Sequence, residues 1–195
     1  MITPIYYTDP GVNGLPSFPT PGDGLTFFLS PTNATQIPVN SSGAFLGLFN
    51  NSTALNNDTN NQVVAVEFDT FPNQWDPSQN HVGIDVYSIQ SATYRVWDTS
   101  LANINEIANA WVSYNSSTTT LSVYLTYKEN PVFQGNHIIL SYVVDLKKVL
   151  PEWVNVGWGS RQSNLSSPAP ALNWAAPDPA LNGAAPDPAL NGYGS

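Results

Sequence analysis

The residues best able to do chemistry are concentrated between Glu67 and His81. In Val63-Val-Ala-Val-Glu-Phe-Asp-Thr-Phe71, two carboxylates interrupt a run that is otherwise apolar enough to be buried on both faces. Glu67, Asp69 and Phe71 stand at alternate positions, so on a strand rising about 3.4 Å per residue they project from one face at intervals of about 7 Å. Two buried like charges must be protonated, paired or bound to metal. Asn73, Asp76 and His81 follow in a loop holding Pro72, Pro77 and Ser78, before Val82-Gly-Ile-Asp85 resumes an extended pattern. Oxygen donors from Asp69, Asn73 and Asp76, with a loop carbonyl, suit a hard cation such as calcium. An imidazole beside carboxylates suits manganese or another transition metal. Two metals sharing Asp69 and Asp76 is the economical arrangement. Taken singly, each residue has a plainer role: Glu67 or Asp69 facing solvent, His81 as an ordinary surface or hydrogen-bonded histidine. Taken together, metal explains them better.

Such a cluster must be carried by strands, and the chain supplies them. Apolar runs recur between turn residues at Leu25–Leu29, Ala44–Phe49, Val63–Phe68, Val82–Tyr87, Tyr94–Trp97, Ala108–Tyr114, Leu121–Tyr127, His137–Val144 and Trp153–Trp158. This spacing predicts an all-β sandwich. Leu121, Val123 and Leu125 alternate with Ser122, Tyr124 and Thr126, as expected of a strand with one face on a core. Asp145 before Leu146-Lys-Lys-Val-Leu150 predicts one capped helical turn.

The flanks differ from this centre. Residues 1–21 are rich in proline and glycine and read as an irregular or edge-lying lead-in. Residues 22–166 form the expected domain. Residues 167–195 repeat Pro-x-Pro-Ala-Leu-Asn three times, a composition that favours extended chain and builds no core. With 195 residues, one all-β domain accounts for the length.

Charge and composition exclude some functions. Fourteen acidic against five basic residues give a net charge of -9, which repels phosphate backbones and anionic membranes. Nucleic acid and membrane insertion are therefore not expected. Cysteine is absent, so the fold does not rest on disulfides. Sequons at Asn33, Asn40, Asn51, Asn57, Asn115 and Asn164 point to a secreted glycoprotein, in the extracellular space or a storage vacuole. No charged leader with an apolar core opens the chain, and no apolar run is long enough to span a bilayer, so it reads as a mature, soluble product.

Val66-Glu-Phe-Asp-Thr-Phe-Pro-Asn-Gln-Trp-Asp-Pro-Ser78, followed by His81-Val-Gly-Ile-Asp-Val86, resembles the metal-binding signature of the legume lectins. Gly22-Asp-Gly-Leu-Thr-Phe-Phe-Leu29, Gly43-Ala-Phe-Leu-Gly-Leu-Phe49 and Leu150-Pro-Glu-Trp-Val-Asn-Val-Gly-Trp158 match three further blocks in the family's order. The resemblance implies an antiparallel β-sandwich of the lectin jelly-roll kind, with fewer strands before Gly22 than the family carries. It also implies that Glu67, Asp69, Asp76 and His81 hold Mn2+, while Asp69, the Phe71 carbonyl, Asn73 and Asp76 hold Ca2+. For the sugar it implies that Asp23 and Asn73 bond hydroxyls, that Phe71 covers a pyranose face, and that a backbone N–H near Gly43–Ala44 donates. It further implies a cis Gly22–Asp23 peptide and a homo-oligomer, dimer or tetramer.

The implied function is metal-dependent, non-catalytic binding of glycans and glycoproteins. The short Asn73-Gln-Trp-Asp76 spacing leans to galactose or N-acetylgalactosamine. Ala44 replaces the glycine of many members, and Tyr87 replaces their asparagine. Two alternatives stay open. A glycoside hydrolase on a similar sandwich would use Glu67 and Asp69 as its acid and its nucleophile or base, although no further glutamate follows the pair. A lectin-fold storage or defence protein would bind no sugar, although every implied side-chain ligand is present.

Overall fold

The computed structural model describes residues 6–7, 20–21, 23–33, 38–77, 80–97, 108–128 and 138–160. Among these residues three antiparallel sheets form. Strands β1 (Tyr6–Tyr7) and β2 (Thr20–Pro21) pair as a short ribbon, the only strand pairing described in the lead-in. The large sheet contains β3 (Gly24–Pro31), β4 (Val64–Asp69), β5 (His81–Val86), β6 (Thr93–Val96) and β10 (Val154–Ser160), in the order β10-β3-β4-β5-β6. Facing it is a three-stranded sheet of β7 (Asn109–Asn115), β8 (Thr120–Thr126) and β9 (Ile138–Val143).

Alternation places Val64, Val66 and Phe68 of β4 and Val82 and Ile84 of β5 on the inner face. They pack against Leu121 and Val123 of β8 and Leu140 of β9 in one buried cluster. Burying each such side chain contributes about 1.5–3 kcal/mol, so this interior holds the two sheets together. The helical turn α1 (Leu146–Val149) forms as expected, with the Asp145 carboxylate accepting from the Lys147 N–H.

Two expectations are corrected. Ala44–Phe49 is not a strand: Gly43–Phe45 forms a 3-10 turn, followed by Leu46 and Gly47 at φ 50° and 78°. Positive φ at both positions breaks the extended path, and the apolar side chains instead cap the outer face of the large sheet. Leu46 and Phe49 bury there with Ala54 and Ile89. Thr26 anchors this cap by donating to the Leu46 carbonyl, and a Cβ at Gly159 would lie 2.7 Å from that oxygen, which is why the position is glycine. In β8, the face expected to be solvated is also buried at Ser122 and Tyr124, the latter under the Trp111 ring at 5.0 Å.

Candidate metal centre

Strand β4 is buried along both faces. Its outer face carries Ala65, Glu67 and Asp69, and antiparallel pairing with β5 sets Asp69 opposite His81, Glu67 opposite Gly83 and Ala65 opposite Asp85. Glu67, Asp69 and His81 each offer a ligand atom, and these atoms all lie within 4.8 Å of one another. All three residues are buried. His81 Nε2 stands 3.0 Å from Glu67 Oε1, which also accepts from the Ser91 hydroxyl.

Asp76 lies outside that tight group but within its field. The loop leaving β4 folds back through short bonds: the Phe71 N–H donates to Asp69 Oδ1 at 2.7 Å, and the Asn73 N–H to Asp76 Oδ2 at 2.6 Å. The Asn73 side-chain amide is 3.2 Å from both the Phe71 carbonyl oxygen and Asp76 Oδ2. With its nitrogen inward it donates to both. With its oxygen inward, three oxygens face one another, an arrangement that a cation would stabilise.

The electrostatics agree with this geometry. Burial, then the charge of Glu67, pushes the Asp69 carboxyl up to about 8. Burial raises Asp76 as well. Burial alone would lower His81, but the Glu67 hydrogen bond and the charges of Glu67, Asp69 and Asp76 outweigh it and raise it. Asp85, fully buried on the same face, is pushed well above the carboxylate range by burial and by Glu67. Glu67 Oε2, His81 Nδ1 and both Asp85 oxygens have no hydrogen-bond partner. Acids this crowded and under-bonded need protons or cations, and this donor set of carboxylates and one imidazole fits divalent metals.

The remaining expected residues surround the centre. Asp23 is buried just before β3, its carbonyl accepting from the Thr70 N–H at 3.3 Å, which ties it beside the end of β4. Gly24 pairs with Asp69 at φ 136°, and a Cβ there would meet the Phe68 carbonyl at 2.5 Å. Phe71 is 47% exposed, leaving its ring open to a ligand. The Gly43–Ala44 turn reaches the 71–76 loop through Phe45, whose ring stacks on Trp75. Gly22, and with it the Gly22–Asp23 peptide, lies outside the described residues, as do His137 and the 167–195 repeats. Sequence reasoning passed over Asp85 and Ser91. For Asp85 the signal existed, since His81, Gly83 and Asp85 alternate; for Ser91 there was none.

The chain is thus an antiparallel β-sandwich that buries carboxylates and an imidazole at one end of β4 and β5, and sequence comparison identifies the family. Residues 14–176 match the legume lectin domain, and the chain belongs to that family. It is 44% identical to agglutinin-2 of Cladrastis kentukea over 186 residues, covering 88% of this chain and 61% of that protein. It is 46% identical to the mannose/glucose-specific lectin of Centrolobium tomentosum, covering 72% and 55%. Among solved structures, the Bauhinia forficata lectin in complex with GalNAc superposes with a TM-score of 0.62 at 36% identity, covering 73% of this chain and 59% of that chain. The chain thus spans 55% to 61% of the length of these relatives.

Proposed function

We propose that this chain is a non-catalytic, metal-dependent carbohydrate-binding domain. The observation that carries the reading is the gathering of Glu67, Asp69 and His81 within 4.8 Å, one loop away from the exposed ring of Phe71. Glu67, Asp69, Asp76 and His81 would hold manganese, and Asp69, the Phe71 carbonyl, Asn73 and Asp76 would hold calcium. Bound metal supplies positive charge that keeps these acids ionised and the loop 71–76 in one conformation. The chain's own groups then meet the sugar: the Asp23 carboxylate accepts from hydroxyls, the Asn73 amide donates, and Phe71 covers the C–H face of a pyranose. An N–H of the Gly43–Ala44 turn completes the set. Ordering these groups before the ligand arrives removes an entropic cost of binding.

A hydrolase reading has less support, because Glu67 and Asp69 are buried against His81 rather than disposed across a substrate cleft. For the sugar we favour galactose or N-acetylgalactosamine. The short Asn73–Asp76 loop supports this, as does likeness to a lectin solved with GalNAc, against a relative named for mannose and glucose. Homo-oligomerisation and secretion belong to the same proposal. Titrating the metal-loaded chain with galactose, N-acetylgalactosamine and mannose tests it: heat of binding with the first two supports the reading, and silence with all three removes it.

A further inference from the structure

We propose that Tyr94 is a positioning residue for the His81 imidazole and the side wall that keeps solvent from the manganese position; this rests on the metal reading above. Strand β6 is the outermost strand beside β5 among the described residues, so its side chains lie along that flank of the sheet. Pairing sets Val96 opposite His81 and Tyr94 opposite Gly83, and alternation puts both on the outer face with the metal ligands. Gly83 has no side chain, and a Cβ there would meet the Ser91 hydroxyl and Glu67, with Glu67 Cγ at 2.9 Å. The space above the glycine is thus already taken by the acidic ligand.

Tyr94 accordingly lies diagonally against His81, with ring centroids 5.9 Å apart and planes at 82°. His81 is fully buried, although Tyr94 is 51% and Val96 48% exposed. A half-exposed ring therefore stands between a buried ligand and water. An edge-to-face contact of this kind fixes the imidazole plane, and His81 has no hydrogen bond at Nδ1 to do so. In metal sites that task commonly falls to a hydrogen-bonded partner of the second ring nitrogen; here an aromatic contact takes it over.

The test is release of metal from the full chain loaded with manganese and calcium, followed by chelator challenge of the wild type, Tyr94→Phe, Tyr94→Leu and Tyr94→Ala. Manganese release, read by the resonance of the freed ion, should quicken about three- to tenfold in Tyr94→Ala, the worth of one aromatic pair. Tyr94→Leu should also release faster than Tyr94→Phe, which should match the wild type because the ring and not the hydroxyl acts. Calcium release should change less than manganese release. Should Tyr94→Ala fail to fold, Tyr94→Leu against Tyr94→Phe decides alone. Unchanged manganese release, or equal acceleration of both metals, overturns the proposal. A wild-type chain that binds calcium and sugar but no manganese overturns it while sparing the sugar reading, and one that binds no metal at all overturns both.

Discussion

The ring of Phe45 stacks on that of Trp75, with centroids 5.6 Å apart and planes at 15°. One residue belongs to the turn carrying Gly43 and Ala44, the other to the loop carrying Phe71, Asn73 and Asp76. The contact joins the two segments that the proposed site would bring to one sugar. Truncating Trp75 to alanine removes this stack and part of the outer apolar cluster. Sugar affinity is expected to fall about tenfold, from about 0.5–1.5 kcal/mol of aromatic pairing together with lost burial. Calorimetric titration of Trp75→Ala checks it; affinity equal to the wild type would show that the turn and loop are held independently.

Asn73→Ala should abolish measurable sugar binding while the sandwich remains folded. Its amide lies 3.2 Å from the Phe71 carbonyl and from Asp76 Oδ2, so in the proposed site one side chain would serve both the cation and the ligand. Losing one buried hydrogen bond costs about 1–3 kcal/mol, or roughly tenfold to more than a hundredfold in affinity. A folded variant that still binds glycans normally takes Asn73 out of the site.

Gly24→Ala should lower stability by at least about 1–3 kcal/mol, since its φ of 136° excludes a side chain without strain and the added Cβ would meet the Phe68 carbonyl at 2.5 Å. Thermal melting measures this. Because Gly24 links Asp23 to the start of β3, sugar affinity should fall with it. An alanine variant with wild-type melting and wild-type affinity would contradict the close approach of β3 to β4.

The metal-free chain should lose stability as pH rises. Asp69 moves from 3.8 to about 8 on folding, so the folded state holds a proton that the unfolded state has released. Its contribution is complete below about 4 and disappears as pH climbs to about 8. His81, also raised, acts in the same direction at higher pH. Metal loading reverses the trend, because coordination requires these groups deprotonated. Melting temperatures of chelated and loaded protein across this range test the pair of slopes; parallel slopes would show that no metal displaces these protons.

Much of this architecture was legible because it rests on local periodicity. Alternation alone put Glu67 and Asp69 on one face, though the strand ends before Phe71, and Asp145 announced its helical turn. What escaped depends on distant partners. Ala44–Phe49 has the composition of a strand, yet positive φ at Leu46 and Gly47 and the apolar partners Ala54 and Ile89 turn it into a cap. The bond from Ser91 to Glu67 spans 24 residues, and the stack of Phe45 on Trp75 joins segments that sequence spacing does not relate. Burial of Tyr124 on the outer face of β8 follows from the Trp111 ring on the neighbouring strand, which alternation cannot foresee.

Exhaustive chelation, followed by glycan titration before and after restoring calcium and manganese, tests the central claim most directly. Demetallated protein should bind no sugar, and the two cations together should restore binding without chemical change to the glycan. Removing a metal present at a hundred times its dissociation constant should also cost about 2.7 kcal/mol of stability, seen as a lower melting temperature. Undiminished sugar affinity in the demetallated chain would contradict the roles given to Glu67, Asp69, Asn73, Asp76 and His81.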